Sequence, residues 1–315
     1  MDCRSFLLFL GGLLPDRGTS WGPWKGHRSD GARACDRITR RTRRRSARSE
    51  GHTRIPAGQV VPRGIRRDAL MRSQPAVVTS ISAFFPAFND AENLEVLVPQ
   101  TDEILQTLAE DFEIIVVDDG STDHTSAVLG GLQQRFSRLR VVRHPRNLGY
   151  GAALQSGFRN AVKELVFYTD GDGQYDVSEI VKLMPVLTPD QDVVTGYKIR
   201  RADPIHRTLI GKLYHFAVKL LFGLKVRDVD CDFRLIRRKV LEAVPLTCRS
   251  GAICVELMCR IEQAGFRVAE VPVHHYPRIS GRSQFFRLGP IARTAADILR
   301  LWVNLILLKR SPARP

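Results

Sequence analysis

The chain is predicted to fold as an α/β protein, a mostly parallel sheet flanked by helices. From residue 76 onward, short β-branched apolar runs alternate with stretches at helical spacing. One run, FEIIVV at 112–117, lacks the alternation of a half-exposed strand, as expected where helices cover both faces. Acids collect where the runs end, and open parallel sheets bind ligands beyond the carboxyl ends of their strands.

The elements follow in order. A first strand is expected over 77–85, ending at Pro86. Ala91–Leu108 places Leu94, Leu97, Val98, Ile104, Leu105 and Leu108 on one helical face. The 112–117 strand ends in Asp118-Asp119-Gly120-Ser121-Thr122-Asp123, a polar turn rich in helix-capping residues. A helix through Phe136, a strand over 140–143, a helix over 151–163 and a strand Leu165–Thr169 come next. Later, ICVELMCRIEQAG reads as a helix and VAEVPV as a strand.

Composition narrows the class. Of 315 residues, 43% are hydrophobic and 26% charged, which excludes collagen-like, coiled-coil and wholly disordered chains. The net charge of +15 suggests nucleic acid until it is divided along the chain. The first 70 residues hold 16 Lys and Arg against 6 Asp and Glu, leaving 32 against 27 for the rest. Nucleic-acid binding is therefore not expected of the folded part. Residues 1–75 read as a disordered arginine-rich extension, including Arg43-Arg44-Arg45. The apolar run at 6–14 is too short to span a bilayer and lacks a small-residue cleavage site. Met71 immediately precedes the folded pattern, so a natural start there is the working expectation. Six cysteines at no metal or redox spacing read as inert reduced thiols.

The acids carry the chemistry. Asp170-Gly171-Asp172-Gly173-Gln174 follows a strand and can turn two carboxylates toward one hard cation, Mg²⁺ or Mn²⁺. A solvated turn is the bland alternative. Of Asp118 and Asp119, one can accept from a nucleobase while the other caps the next helix. Pro86-Ala87-Phe88-Asn89-Asp90 offers a turn and an aromatic ring to a planar base.

PAFNDAEN (86–93), VVDDGSTD (116–123), RNLGYGAALQSGF (146–158) and DGDGQYD (170–176) together resemble the family 2 glycosyltransferases. Among them the chain is most similar to the dolichol-phosphate mannosyltransferase-like, or polyprenyl-phosphate glycosyltransferase, branch. The resemblance implies a GT-A fold over 76–286, a nucleotide-diphospho-sugar donor (GDP- or UDP-hexose), a divalent metal and inversion at the sugar. By position it implies that Pro86, Phe88, Asp90, Val117 and Asp119 contact the nucleotide, and Asp170, Gly171, Asp172, Gln174 and Lys198 the donor. Asp170, Asp172 and Gln174 match metal ligands. Arg278, in HHYPRISGRSQ, matches a basic loop closing over phosphate, and Arg207 a residue for the acceptor phosphate. Asp228 matches the family's acidic position, so Asp172, Arg278 and Asp228 are the catalytic expectation. Lys198 replaces the usual arginine, a point charge for a bidentate fork. Gly211 replaces a phosphate-contacting serine, and Asp232 stands where glycine is commoner.

A lipid phosphate acceptor is already anionic and needs no strong base, whereas a hydroxyl needs a carboxylate such as Asp228, Asp230 or Asp232. A lipid phosphate is the expected acceptor. A glycan or glycolipid hydroxyl and an inactive nucleotide- or nucleic-acid-binding protein are the alternatives. The chain has no QxxRW motif and no run of 18 apolar residues, which disfavours a polysaccharide synthase with its own channel. Two segments look interfacial: 209–222, with Lys212, His215 and Lys219 on one face, and the C-terminal helix within 287–315, striped by Arg293, Asp297, Arg300 and Asn304. Peripheral binding at the cytoplasmic membrane face, with room for a membrane-protein partner, is the resulting expectation. His274 and His275 read as a structural pair beside prolines, and Glu256 as a residue facing the cleft.

Overall fold

In the computed structural model, residues 78–199, 205–278 and 288–308 are described. The 1–75 extension, Cys3, Cys35 and Met71 lie outside them, as do the side chains of Arg207 and Lys212. Strand β1 (Val78–Ala87) leads to α1 (Ala91–Leu108), β2 (Ala109–Asp118), α2 (Thr125–Arg135), β3 (Leu139–Arg143), α3 (Tyr150–Asn160) and β4 (Leu165–Thr169). A 3₁₀ turn (Val177–Glu179) and α4 (Ile180–Leu183) precede β5 (Val193–Lys198). Then come α5 (Ile205–Phe222), β6 (Phe233–Arg237), α6 (Arg238–Ala243), α7 (Ile253–Gln263), β7 (Val268–Val273) and α8 (Leu288–Trp302), which runs into a π-helical turn (Val303–Leu307).

Among the described residues, seven strands form one sheet in the order β3-β2-β1-β4-β6-β5-β7. β6 alone runs antiparallel, pairing β4 from Leu165↔Arg237 to Thr169↔Phe233 and β5 from Val193↔Ile236 to Thr195↔Arg234. The other pairings are parallel, so the ends of β1, β2, β3, β4 and β5 open on one side. The strand at β6 is hidden from a hydrophobicity pattern because Arg234 and Arg237 interrupt it.

Strand alternation sorts the core into two layers. Ile81, Ala83 and Phe85 of β1 face α1, α2 and α4, packing with Leu94, Leu97, Leu129 and Ile180. Phe84 faces the opposite layer, built by α3, α5, α7 and the end of α8. There its ring stacks on Tyr168 and meets the edge of Phe158. Burying both faces removes the apolar run at 114–117 from water entirely, about 2 kcal/mol for each such side chain.

Candidate active site

The tips of β1 and β2 are stitched together before any ligand enters. Asn89 adopts φ 58°, which asparagine tolerates, and its Oδ1 accepts from Thr122 N–H at 2.8 Å while its own N–H donates to Ser121 Oγ at 3.0 Å. Asp118 Oδ1 accepts from Ser121 N–H, so it caps the turn rather than the helix. Asp119 looks away toward α3. Its carboxylate accepts from the N–H groups of Leu148 and Gly149, each at 2.9 Å, and lies 2.6 Å from His144 Nδ1. His144 Nε2 in turn meets Ser156 Oγ at 2.9 Å. Gly120, at φ 71°, lies so close to Arg146 that a Cβ there would fall 2.3 Å from its carbonyl carbon. The two acids thus hold the strand-end loops, and Asp119 presets the 146–149 loop.

At the end of β4 the chain turns back across β1. Gly171 N–H donates to Pro86 O at 3.2 Å, and a Cβ at 171 would lie 2.7 Å from that oxygen, which is why this position takes glycine. Asp170 Oδ1 accepts from Tyr150 Oη at 2.7 Å. Burial, with Asp232 and Asp172 nearby, pushes Asp170 well above the usual carboxylate range. Asp172 accepts from Gln174 N–H at 3.1 Å and from Arg278 Nη2 at 2.5 Å. Its pKa is also raised, because burial outweighs the Arg278 charge. Arg278 Nη1 stands 3.9 Å from Asp90. Asp90 accepts from Phe88 N–H at 3.1 Å and Asn93 Nδ2 at 3.2 Å, yet burial pushes it up to about 6. The stretch after β7 is laid on this turn by a pair of hydrogen bonds, Tyr276 N–H to Gln174 O and Gln174 Nε2 to Tyr276 O.

A second acidic group closes the other flank. Lys198, at the end of β5, donates to Asp230 O at 2.7 Å and stands 3.9 Å from Asp228 Oδ2. His215 of α5, Asp228 and Asp230 bring their polar atoms within 4.8 Å of one another. Burial pushes Asp230 up to about 6, with Lys198 opposing and Asp228 adding to the rise. The loop is anchored from below by Arg234, which is fully buried on β6. Its guanidinium reaches Asp232 at 3.2 Å, Thr195 Oγ1 at 3.2 Å, Tyr168 Oη and Val229 O. Asp232 also accepts from Cys254 Sγ at 3.3 Å.

One crevice therefore gathers Asp90, Asp170, Asp172, Gln174, Lys198, Asp228 and Arg278. Asp170 and Asp172 both sense the Lys198 charge. Pro86 contributes its backbone, and the Val117 side chain is wholly in the core. Arg207 begins α5, its side chain outside the described residues. Three participants carry no sequence signal of their own: Tyr150, Arg234 and His144 reveal themselves only through buried partners. Glu256 does not face the cleft. It is fully buried, caps the N–H groups of Thr247 and Cys248, and pairs with Arg260 at 2.9 Å. His274 binds Glu179 at 2.5 Å and His275 packs on Tyr175, a structural pair. Cys231, Cys248, Cys254 and Cys259 are buried and unlinked, and burial pushes the Cys231 thiol up to about 12.

Residues 82–244 match the model of "Glycosyl transferase family 2". The chain is 28% identical over 214 residues to the undecaprenyl-phosphate 4-deoxy-4-formamido-L-arabinose transferase of Yersinia enterocolitica, covering 68% of this chain and 64% of that protein. It is 30% identical over 254 residues to glycosyltransferase AglD of Haloferax volcanii, covering 76% and 40%. The chain thus spans less than two thirds of either relative. Glucosyl-3-phosphoglycerate synthase from Mycobacterium tuberculosis, solved with Mn²⁺, uridine diphosphate and glucosyl-3-phosphoglycerate, superposes with a TM-score of 0.54 at 19% identity over 71% of this chain and 79% of that one. That likeness establishes a shared GT-A fold.

Proposed function

The chain belongs to glycosyl transferase family 2, and on that premise we propose that it moves a hexose from a nucleotide-diphospho-sugar to a polyprenyl phosphate in a metal-dependent, inverting reaction. The observation that carries the proposal is the position of Arg278. A guanidinium from the far end of the sheet lies between two buried acids, Asp172 and Asp90, contributed by two other strand ends. A crevice that concentrates ionisable acids around a cationic position is suited to a second cation and to a diphosphate. The donor set fits a divalent ion, since Asp170 and Asp172 offer hard oxygens from one turn whose burial and mutual repulsion a cation would relieve. Asp172, Gln174 and Asp170 would hold it, and the ion would supply charge neutralisation on the departing diphosphate. The name of the Yersinia enterocolitica relative supports a polyprenyl phosphate acceptor, and the solved neighbour with Mn²⁺ and uridine diphosphate supports the donor class.

In this reading Arg278 releases Asp172 to the donor side and meets the leaving diphosphate. Lys198, held by Asp230 O, places a point charge across the crevice. Asp119 fixes the 146–149 loop and Asn89 the β1 tip, so the nucleotide meets preset walls. A lipid phosphate can attack without losing a proton. No helix among the described residues is long and apolar enough to cross a membrane, and peripheral attachment at its cytoplasmic face belongs to the proposal.

One observation favours a hydroxyl acceptor as the second reading: Asp230, at about 6 beside Asp228 and His215, has the pKa of a general base. Assay of UDP- and GDP-sugars against polyprenyl phosphate and against glycolipid hydroxyl acceptors separates the two. The proposal expects transfer to the phosphate and full activity in Asp230→Asn. Transfer to hydroxyl alone, lost in that variant, would establish the second reading.

A further inference from the structure

A cleft of about 760 Å³, lined by none of the crevice acids, opens between the 146–148 loop, the 247–249 loop and α8. Arg146, Arg249, Arg293 and Arg300 line it, with Asp297 and Asn304. Asp297 is engaged, accepting from Ser250 Oγ at 2.7 Å and standing 3.7 Å from Arg300. Among the described residues no carboxylate pairs with Arg146, Arg249 or Arg293. Four guanidinium groups against one acid leave three positive charges in one concavity. The 247–249 loop is braced on α3, Gly151 N–H to Arg249 O at 3.0 Å and Gln155 Nε2 to Cys248 O at 2.7 Å, and Asp119 holds Leu148 and Gly149, so the charges sit on a set framework.

The helix supplying half of the cleft has an unusual third face. At 100° per residue, Arg293, Asp297, Arg300 and Asn304 form one stripe. Thr294, Leu301 and Leu305 are buried against the α7 layer. The remaining face, which a helix on a soluble protein fills with polar groups, carries exposed Ala292, Ala296, Leu299 (55% exposed) and Leu307 (57%). Trp302 Nε1 donates to Leu221 O at 3.1 Å, tying α8 to the end of α5, where Phe216 and Leu220 are 66% and 74% exposed. An apolar face beside an arginine-lined cleft matches the layering of a bilayer surface, acyl chains below and phosphates level with the cations.

We infer that this cleft receives the phosphate headgroup of an anionic phospholipid, held by arginines other than Arg278 and none of the crevice acids. Planar guanidinium forks suit phosphate oxygens, and the apolar α8 face selects a lipid-borne phosphate over a soluble one. Seating there orients the chain on the bilayer by a contact distinct from the acceptor.

Flotation of the full chain tests this with vesicles of phosphatidylcholine alone and of phosphatidylcholine mixed with phosphatidylglycerol. The expected result is salt-sensitive binding to the anionic vesicles only. Arg293→Gln/Arg300→Gln and, on different elements, Arg146→Gln/Arg249→Gln each weaken it roughly thirtyfold. A control pair at the opposite end of the sheet, Arg238→Gln/Lys239→Gln, removes the same charge and keeps binding. Equal loss in the control, or equal flotation on neutral vesicles, overturns the site. Calorimetric titration with inorganic pyrophosphate covers the soluble source: heat that vanishes in the cleft variants while flotation is unchanged also overturns it. Sugar transfer in detergent should persist in the Arg293→Gln/Arg300→Gln variant, whose residues lie on α8 outside the nucleotide walls. Should wild-type protein show no transfer at all while flotation keeps its arginine dependence, the cleft stands and the transfer reading falls.

Discussion

At the scale of single residues the site is a contest between burial and charge. In the proposed reaction Asp172 is the acid on which the donor side converges, so Asp172→Ala should cut transfer by about a thousandfold or more in an initial-rate assay. Arg278→Ala should cost about a hundredfold in turnover while nucleotide-sugar still binds in a titration, since the proposal has its charge act on the leaving group. Asp90 shows the cost of assembling such a site. Its pKa is about 6 in the folded chain against 3.8 unperturbed, so folding favours the protonated form. That contribution is full below pH 3.8 and is lost as pH rises through about 6. Above pH 6 the ionised group costs up to about 3 kcal/mol. Asp90→Asn should therefore be the more stable protein at pH 7.5 in denaturant unfolding, and the advantage should vanish near pH 4. These roles were only partly readable from sequence. Asp170, Asp172 and Asp90 stand at visible strand ends, but nothing in spacing pairs Asp172 with Arg278, 106 positions away.

At the scale of elements, long periodic segments were legible and irregular ones were not. Helix α1 and strands β4 and β7 fall where apolar spacing places them, because core packing and local propensity agree there. Helix α3 stops at Asn160, short of the expected 163, where the Asn160 side chain bonds back to Ser156 O. Strand β6 escaped because its arginines look like surface residues, whereas Arg234 is buried and answered by four partners. Strand β2 hides a similar device. Glu113 accepts from Ser82 Oγ at 2.7 Å, Val162 N–H at 3.1 Å and Arg140 at 2.5 Å, joining β1, β2, β3 and the α3–β4 turn. These bonds hold its pKa low even though burial works against them. Glu113→Ala leaves those donors unanswered and should cost about 2–3 kcal/mol, a fall in melting temperature of roughly 5–10 °C. Glu113→Gln should recover part of it.

Across the whole molecule, one sheet carries an acidic crevice and two helices with exposed apolar faces. Its carboxyl edge gathers acids, Lys198 and Arg278 into the crevice, while α5, α8 and the π-helical turn after it leave Phe216, Leu220, Leu299 and Leu307 uncovered. Amphipathic spacing disclosed both helices, but not that the polar stripe of α8 would line an arginine cleft, since Arg146 and Arg249 come from distant loops. Family membership accounts for the crevice, and the proposed lipid phosphate acceptor accounts for why such a crevice shares a chain with two apolar-faced helices. The most direct test is transfer of labelled sugar from a panel of UDP- and GDP-sugars to polyprenyl phosphate by the full chain, with Mn²⁺ or Mg²⁺ and with chelator. The account predicts labelled lipid product from one donor, dependent on the added ion and absent in Asp172→Ala. Undiminished product in strong chelator, or from the Asp172→Ala protein, would contradict it.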